Sequence, residues 1–210
     1  MSNETYGDEE IVEILNQYKK SVKGDIKSGF SIAEDLHRFK SREVVDGKVK
    51  MSIPIRFDCY MGQELRKINQ FEDLDKMYIS SKGEIQISVK LLPNGLNGME
   101  ISSYIQEIER QLPIMNTSVR IYERDQSIEV ASEKIVWFDY KVLFGTTDIY
   151  IMFFAMEVYG DLFYGKFSCS YRDSLKWKEI FIAMLETVQI CQIEGGNKSY
   201  GNERNRVVER

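Results

Sequence analysis

Residues Asp148 to Val158 constrain the fold of this chain more than any other stretch, because both faces of the strand they imply are apolar. Ile149, Ile151, Phe153 and Ala155 fall on one side of a period-two pattern, and Tyr150, Met152, Phe154 and Met156 on the other. The uninterrupted apolar run, Ile149 to Met156, is bounded by Asp148 and Glu157 and falls well short of the ~20 residues a membrane-spanning helix needs. It predicts a strand. An antiparallel strand with one face in water alternates apolar and polar residues. This one does not, so both of its faces require cover. Three coverings satisfy the pattern: the chain's own helices on either side of the sheet, a partner protein, or a small apolar ligand in a pocket. A partner would dock on Trp137, Tyr150, Met152, Phe154, Met156 and Tyr164, aromatic and Met side chains of the kind enriched at interfaces.

The surrounding pattern places this strand in an antiparallel meander. Ile135 to Phe144, Asp148 to Val158 and Leu162 to Tyr171 are joined by the short links Gly145-Thr146-Thr147 and Tyr159-Gly160-Asp161. In the first of these strands Val136, Phe138, Tyr140, Val142 and Phe144 form a core face, while Trp137, Asp139 and Lys141 share the other. Earlier, Val49, Met51, Ile53, Ile55 and Phe57 follow Asp46-Gly47, a dipeptide favoured in two-residue hairpin turns. Pro54 puts that strand at an edge over this part. Ile85 to Leu91 alternates as a strand, and Asp58 to Ser81 reads as a polar connection with one helical turn near Gln63 to Ile68. Val119 to Glu123 and Ser127 to Ala131 read as a hairpin around Arg124-Asp125.

Helical periodicity occurs in three places. Ile11, Leu15, Tyr18 and Val22 share one face of a helix from about Asp8 to Lys23, with acidic residues before it and lysines at its end, as the helix dipole favours. Ile101, Tyr104, Ile105, Ile108 and Leu112 mark a mid-chain helix with Pro113 just beyond it. Leu175, Ile180, Phe181, Met184, Leu185 and Val188 mark a last helix capped at Asp173 or Ser174. Between Asp25 and Lys40, Ile32, Leu36 and Phe39 allow a short helix or an extended connector. The fold class is α+β: an antiparallel sheet with a C-terminal meander, packed by a mid-chain helix and a C-terminal helix, with an added N-terminal helix. Residues 1–40 form an N-terminal helical extension, 41–193 the sandwich domain and 194–210 a polar, disordered tail.

No set of residues carries a chemistry. His37 is the only histidine, and no Gly-x-Ser-x-Gly elbow accompanies it. The glycines of Asn94-Gly95-Leu96-Asn97-Gly98 lack the lysine of a phosphate-binding loop. The acids of Phe71-Glu72-Asp73-Leu74-Asp75 lack the calcium-loop ladder. Catalytic residues, metal ligands and cofactors are therefore expected to be none. A net charge of −5 excludes a general nucleic-acid binder. Cys59, Cys169 and Cys191 are odd in number and far apart, which implies reduced thiols packed inside a cytoplasmic protein. The acidic, polar MSNETYGDEE start is unlike a signal peptide.

The order of elements resembles the PsbP/DcrB-like α/β/α sandwich superfamily over roughly residues 42–193. Three segments carry the resemblance: Ile53-Pro54-Ile55-Arg56-Phe57, the meander Ile135 to Tyr171, and Trp177 with Val188-Gln189-Ile190 at the end of the last helix. Members are photosystem accessory proteins, a nuclear transport cofactor, envelope lipoproteins and effector chaperones, so the resemblance implies a non-enzymatic accessory or chaperone-like role with another protein as partner. An immunity-type inhibitor of a neighbouring toxin suits the acidic balance. An enzyme with an unrecognised site is the third reading, and a homodimer is compatible with all three.

Overall fold

The structure, a computed structural model, describes residues 22–32, 35–70, 72–130 and 133–191. The amphipathic segment before Val22 and the polar tail lie outside the described residues. Val22 and Lys23 belong to a strand.

From residue 22 the chain is extended and forms short strands, in place of the short helix or plain connector that residues 25–40 allow. β1 (Val22–Asp25), β2 (Gly29–Ile32) and β3 (Asp35–His37) make a small antiparallel sheet. Asp25 accepts hydrogen bonds from the backbone and hydroxyl of Ser28, which fixes the first reversal. Phe30 and Ile32 then enter the main core, so these residues are part of the domain and not a helical extension of it.

β4 (Phe39–Val45) and β5 (Val49–Pro54) form the expected hairpin, with Gly47 at a φ of +65° in its turn. After them come β6 (Asp58–Met61), α1 (Gly62–Ile68), β7 (Lys76–Ile79) and β8 (Gln86–Leu92). The polar connection thus holds two strands as well as a helix. α2 (Ile101–Met115) contains Pro113 in its last turn instead of stopping before it, where a missing N–H costs a single helical bond. β9 (Arg120–Ile121), β10 (Gln126–Val130), β11 (Glu133–Phe144), β12 (Thr147–Val158) and β13 (Asp161–Ser170) complete the sheet. α3 (Ser174–Leu185) and β14 (Gln189–Ile190) close the described chain.

Eight strands form one antiparallel sheet, in the order β10-β11-β12-β13-β8-β7-β6, with β9 also on β11. β9 and β10 do not pair with each other. Ile121 lies opposite Tyr140 and Gln126 opposite Trp137, so both run along β11 in the same direction. Arg124-Asp125 is therefore a bulge, not a turn. The Glu109 carboxylate of α2, only 5% exposed, accepts from Arg124 Nη1 at 3.2 Å and from the Asp125 backbone, and holds it open. β14, β5 and β4 form a smaller sheet in which β14 reaches only Val49 and Lys50, so Pro54 lies at an unpaired edge as its missing N–H requires.

Two apolar layers result. The inner face of the large sheet packs on α3 and the smaller sheets through Phe154, Phe167, Phe181, Trp177, Met51 and Ile53. The outer face packs on α2 through Phe138, Phe153, Ala155, Leu162 and Ile105.

Candidate functional site

The face first considered for a partner is the floor of the main core. Trp137, Tyr150, Met152, Phe154 and Met156 are each 4% exposed or less, and α3 with β5 covers them from within the chain. Tyr164 lies on the opposite face, half-buried beside α2. Trp177, Phe181, Met184 and Leu185 on α3 need an apolar floor, and the even positions of β12 provide it. Phe154 and Phe167 stack at 5.0 Å, and Phe167 and Phe181 at 4.7 Å, in one continuous column.

Polar residues clamp this layer. Asp139, 1% exposed, accepts from Tyr150 Oη at 2.8 Å, Lys178 Nζ at 2.7 Å and the Glu123 backbone at 2.8 Å. Lys178 also pairs with Glu123 at 2.7 Å and lies over the Trp137 ring. Burial, followed by the charge and hydrogen bond of Asp139, pushes the Tyr150 phenol well above its ordinary range. Every member is bonded within the cluster, and its effect is to seat α3 on β11 and β12. His37 is half-buried, its ring centroid 5.2 Å from that of Trp177 in a T-shaped arrangement, and burial holds its imidazole below the usual value. Cys169 is buried and its thiol is pushed up by desolvation, whereas Cys59 is exposed, against the expectation that all three thiols pack inside.

The open surface is on the other side of the sheet. Register places Val142, Ile149 and Ser170 in one row across it, and Tyr140, Ile151, Ser168, Gln86 and Ile79 in the next. Phe138, Phe153, Lys166, Ser88 and Met77 form the row after that. α2 covers Phe138, Tyr140 and Phe153 and the rows beyond them, and leaves open the Val142–Ile149–Ser170 row and the Ile151–Ser168 part of the next. There a groove of about 710 Å³ is floored by Ile149, Ile151 and the serines of β13, with Ile68 at one wall and Phe144, 79% exposed, at its rim. A second cavity of about 400 Å³ lies under the edge of α2. Glu72 and Lys166, ion-paired to each other, border both. β13 and β8 alternate as one-sided strands should: Lys166, Ser168, Ser88 and Gln86 point outward, and Phe167, Ile87 and Val89 inward. β11 and β12 stay apolar at their open ends, through Val142, Phe144, Ile149 and Ile151.

The even positions of β12 that the sequence offers to a partner are thus buried within the chain, and the apolar residues at the open end of the sheet are Ile149, Ile151, Val142 and Phe144. The available signal was Phe144 and Ile149 flanking the Gly145 turn, where α2 is too short to reach. A third, polar cavity of about 610 Å³ is bordered by Lys48, Lys76 and Lys90, each already paired, with Asp161, Asp46, and Asp73 and Asp75 respectively. Among the described residues no group of three or more His, Cys, Asp or Glu side chains could hold a metal ion, and no helix is long and apolar enough to cross a membrane.

No protein-family model matches the chain, and no curated protein matches its sequence. Among solved structures it is similar to cyanobacterial PsbP (CyanoP) from Synechocystis, with a TM-score of 0.56 over 75% of this chain and 95% of that one, at 9% identity. The chain has a PsbP-like fold. More distant likenesses are LpqN, involved in cell envelope biogenesis of Mycobacterium tuberculosis (TM-score 0.49, 6% identity, 78% of this chain and 99% of that one), and PA94 from Pseudomonas aeruginosa. PA94, a putative regulator of unknown function, aligns with a TM-score of 0.43 at 9% identity over 71% of this chain and 94% of its own. The α+β class of the chain agrees with the PsbP-like fold.

Proposed function

We propose that this PsbP-like domain is a non-enzymatic accessory protein that binds another protein through the uncovered outer face of its sheet. One observation carries the reading: Val142, Phe144, Ile149 and Ile151 form an apolar strip that α2 leaves open, beside a groove large enough for a partner's side chains. The lack of a convergent catalytic set among the described residues and the accessory character of PsbP-like proteins favour it over an enzyme. The three free cysteines suit a cytoplasmic setting.

A photocrosslinking amino acid at position 144 tests this in cells. It is expected to trap one specific protein, and Ile151→Lys should abolish that adduct without lowering the unfolding midpoint, since Ile151 is partly exposed. Leu175, 44% exposed on α3 behind the opposite face, provides the control position. Equal adducts from positions 144 and 175 would sink the proposal.

A further inference from the structure

The smaller outer cavity is built differently from the open strip beside it. Its floor is Tyr140, Phe153 and Tyr164, from three adjacent strands, and its roof is Tyr104, Ile108 and Leu112 of α2. Phe153 and Tyr164 stack at 5.9 Å with their planes 23° apart, and Phe138 stands 5.6 Å behind Phe153, so the floor is a continuous aromatic ladder. Three phenol groups border this one space of about 400 Å³. Among the described residues none of the three phenol oxygens has a hydrogen-bond partner, although Tyr140 is only 6% exposed.

Among the described residues Arg42 Nε is the one fully buried side-chain polar atom left without a partner, and other buried tyrosines and acids are bonded. Tyr150 donates to Asp139, Tyr78 donates to the Glu43 carbonyl, and Glu109 holds Arg124. The Tyr140 phenol oxygen is not among the fully buried atoms without a partner, so it keeps an opening, and the cavity is the space it borders. Burial raises all three phenols above their ordinary range, so each stays protonated and able to donate at neutral pH. The acids at the rim are already engaged: Glu72 with Lys166, and Asp73 with Lys90. What the cavity lacks is an acceptor. Its apolar walls and few convergent polar groups match the usual construction of a small-molecule site, and its volume is within the usual range.

We infer that this cavity binds a small planar aromatic molecule bearing carbonyl or carboxylate oxygens, its ring between the Phe153–Tyr164 ladder and Ile108 and Leu112, and its oxygens accepting from the tyrosine hydroxyls. The inference goes beyond protein binding on the neighbouring strip, and Ile151→Lys is expected to leave it intact.

Protein-observed NMR titration of the full chain with 2-naphthoate is the test, with 2-naphthylmethylammonium as the probe whose head group only donates. 2-Naphthoate is expected to shift the amides of 104–112, 140, 153 and 164 saturably, and the ammonium probe is not. The Tyr140→Phe/Tyr164→Phe double variant keeps every ring and should bind about tenfold more weakly or worse, from two lost hydrogen bonds. Ile108→Trp should fill the space and abolish binding. If that variant fails to fold, the double Phe variant still decides. No saturable shift by about 1 mM, equal binding of the two probes, or an unchanged double variant would each overturn the assignment.

Discussion

Gly165 lies opposite Phe154 in the β12–β13 ladder, and its lack of a side chain leaves room for the Phe154 ring. A Cβ built there would stand 2.5 Å from Phe154 Cζ and 2.5 Å from the Ser88 carbonyl oxygen. The ring could yield only by leaving its stack with Phe167, and the backbone oxygen could not yield without breaking the ladder to β8. Gly165→Ala is therefore expected to destabilise the chain by about 1–3 kcal/mol, read as a lower urea midpoint at unchanged slope. A wild-type midpoint would show that the column has slack. Single residues also mark where sequence reasoning ended. Asp139 reads only as one member of a mixed face with Trp137 and Lys141, because its partner Lys178 is 39 residues away on α3. No local pattern announces that pairing. The glycine at position 165 breaks the alternation of β13 visibly, but only the position of Phe154 explains it.

Elements were legible in proportion to their length and to how completely one face was buried. β11, β12 and β13 run to 10 or 12 residues with short links, and their alternation survives intact. α2 and α3 show their apolar stripes for the same reason. β6 and β7 have four residues each, and β7 hides a lysine among its buried positions: Lys76 reaches the Glu43 carbonyl and Asp46 across the layer. Such strands carry too few positions for a period to emerge. β1 to β3 were ambiguous because three or four residues of mixed polarity suit either helix or strand, and the deciding contacts, Phe30 on Phe39 and His37 on Trp177, are tertiary. The value of α3 to the assembly can be measured through Phe181, which has no exposed surface and stacks on Phe167 with planes 11° apart. Phe181→Ala is expected to cost about 3–5 kcal/mol in equilibrium unfolding. Leu175→Ala on the exposed side of the same helix should stay within about 0.5 kcal/mol of wild type. Equal effects would mean that α3 is held by its ends and by Lys178, not by its apolar face.

At the scale of the whole molecule, one sheet carries apolar layers on both faces, and tyrosines serve both: Tyr78 and Tyr150 on the inner side, Tyr140 on the outer. All three are 6% exposed or less, and desolvation is the leading cause that raises each phenol above its ordinary value of 10. This shared shift has a definite sign in stability. Below pH 10 both the folded and the unfolded chain keep these phenols protonated, and their contribution is complete. Above it the unfolded chain releases protons that the folded chain retains, so unfolding gains favour until the folded pKa is reached. Each such phenol can contribute up to about 1.4 kcal/mol per pH unit in that window. Stability measured by urea titration is therefore expected to be flat with respect to these groups near neutrality and to fall steeply above about pH 10. Tyr150→Phe should lower stability at neutral pH, because Asp139 loses a donor, yet make the alkaline fall shallower, because one titrating phenol is gone. The slope, not the level, is the informative quantity. An unchanged slope would place the alkaline sensitivity in the other two tyrosines, and no fall at all above about pH 10 would show that the two-layer core opens to hydroxide without unfolding.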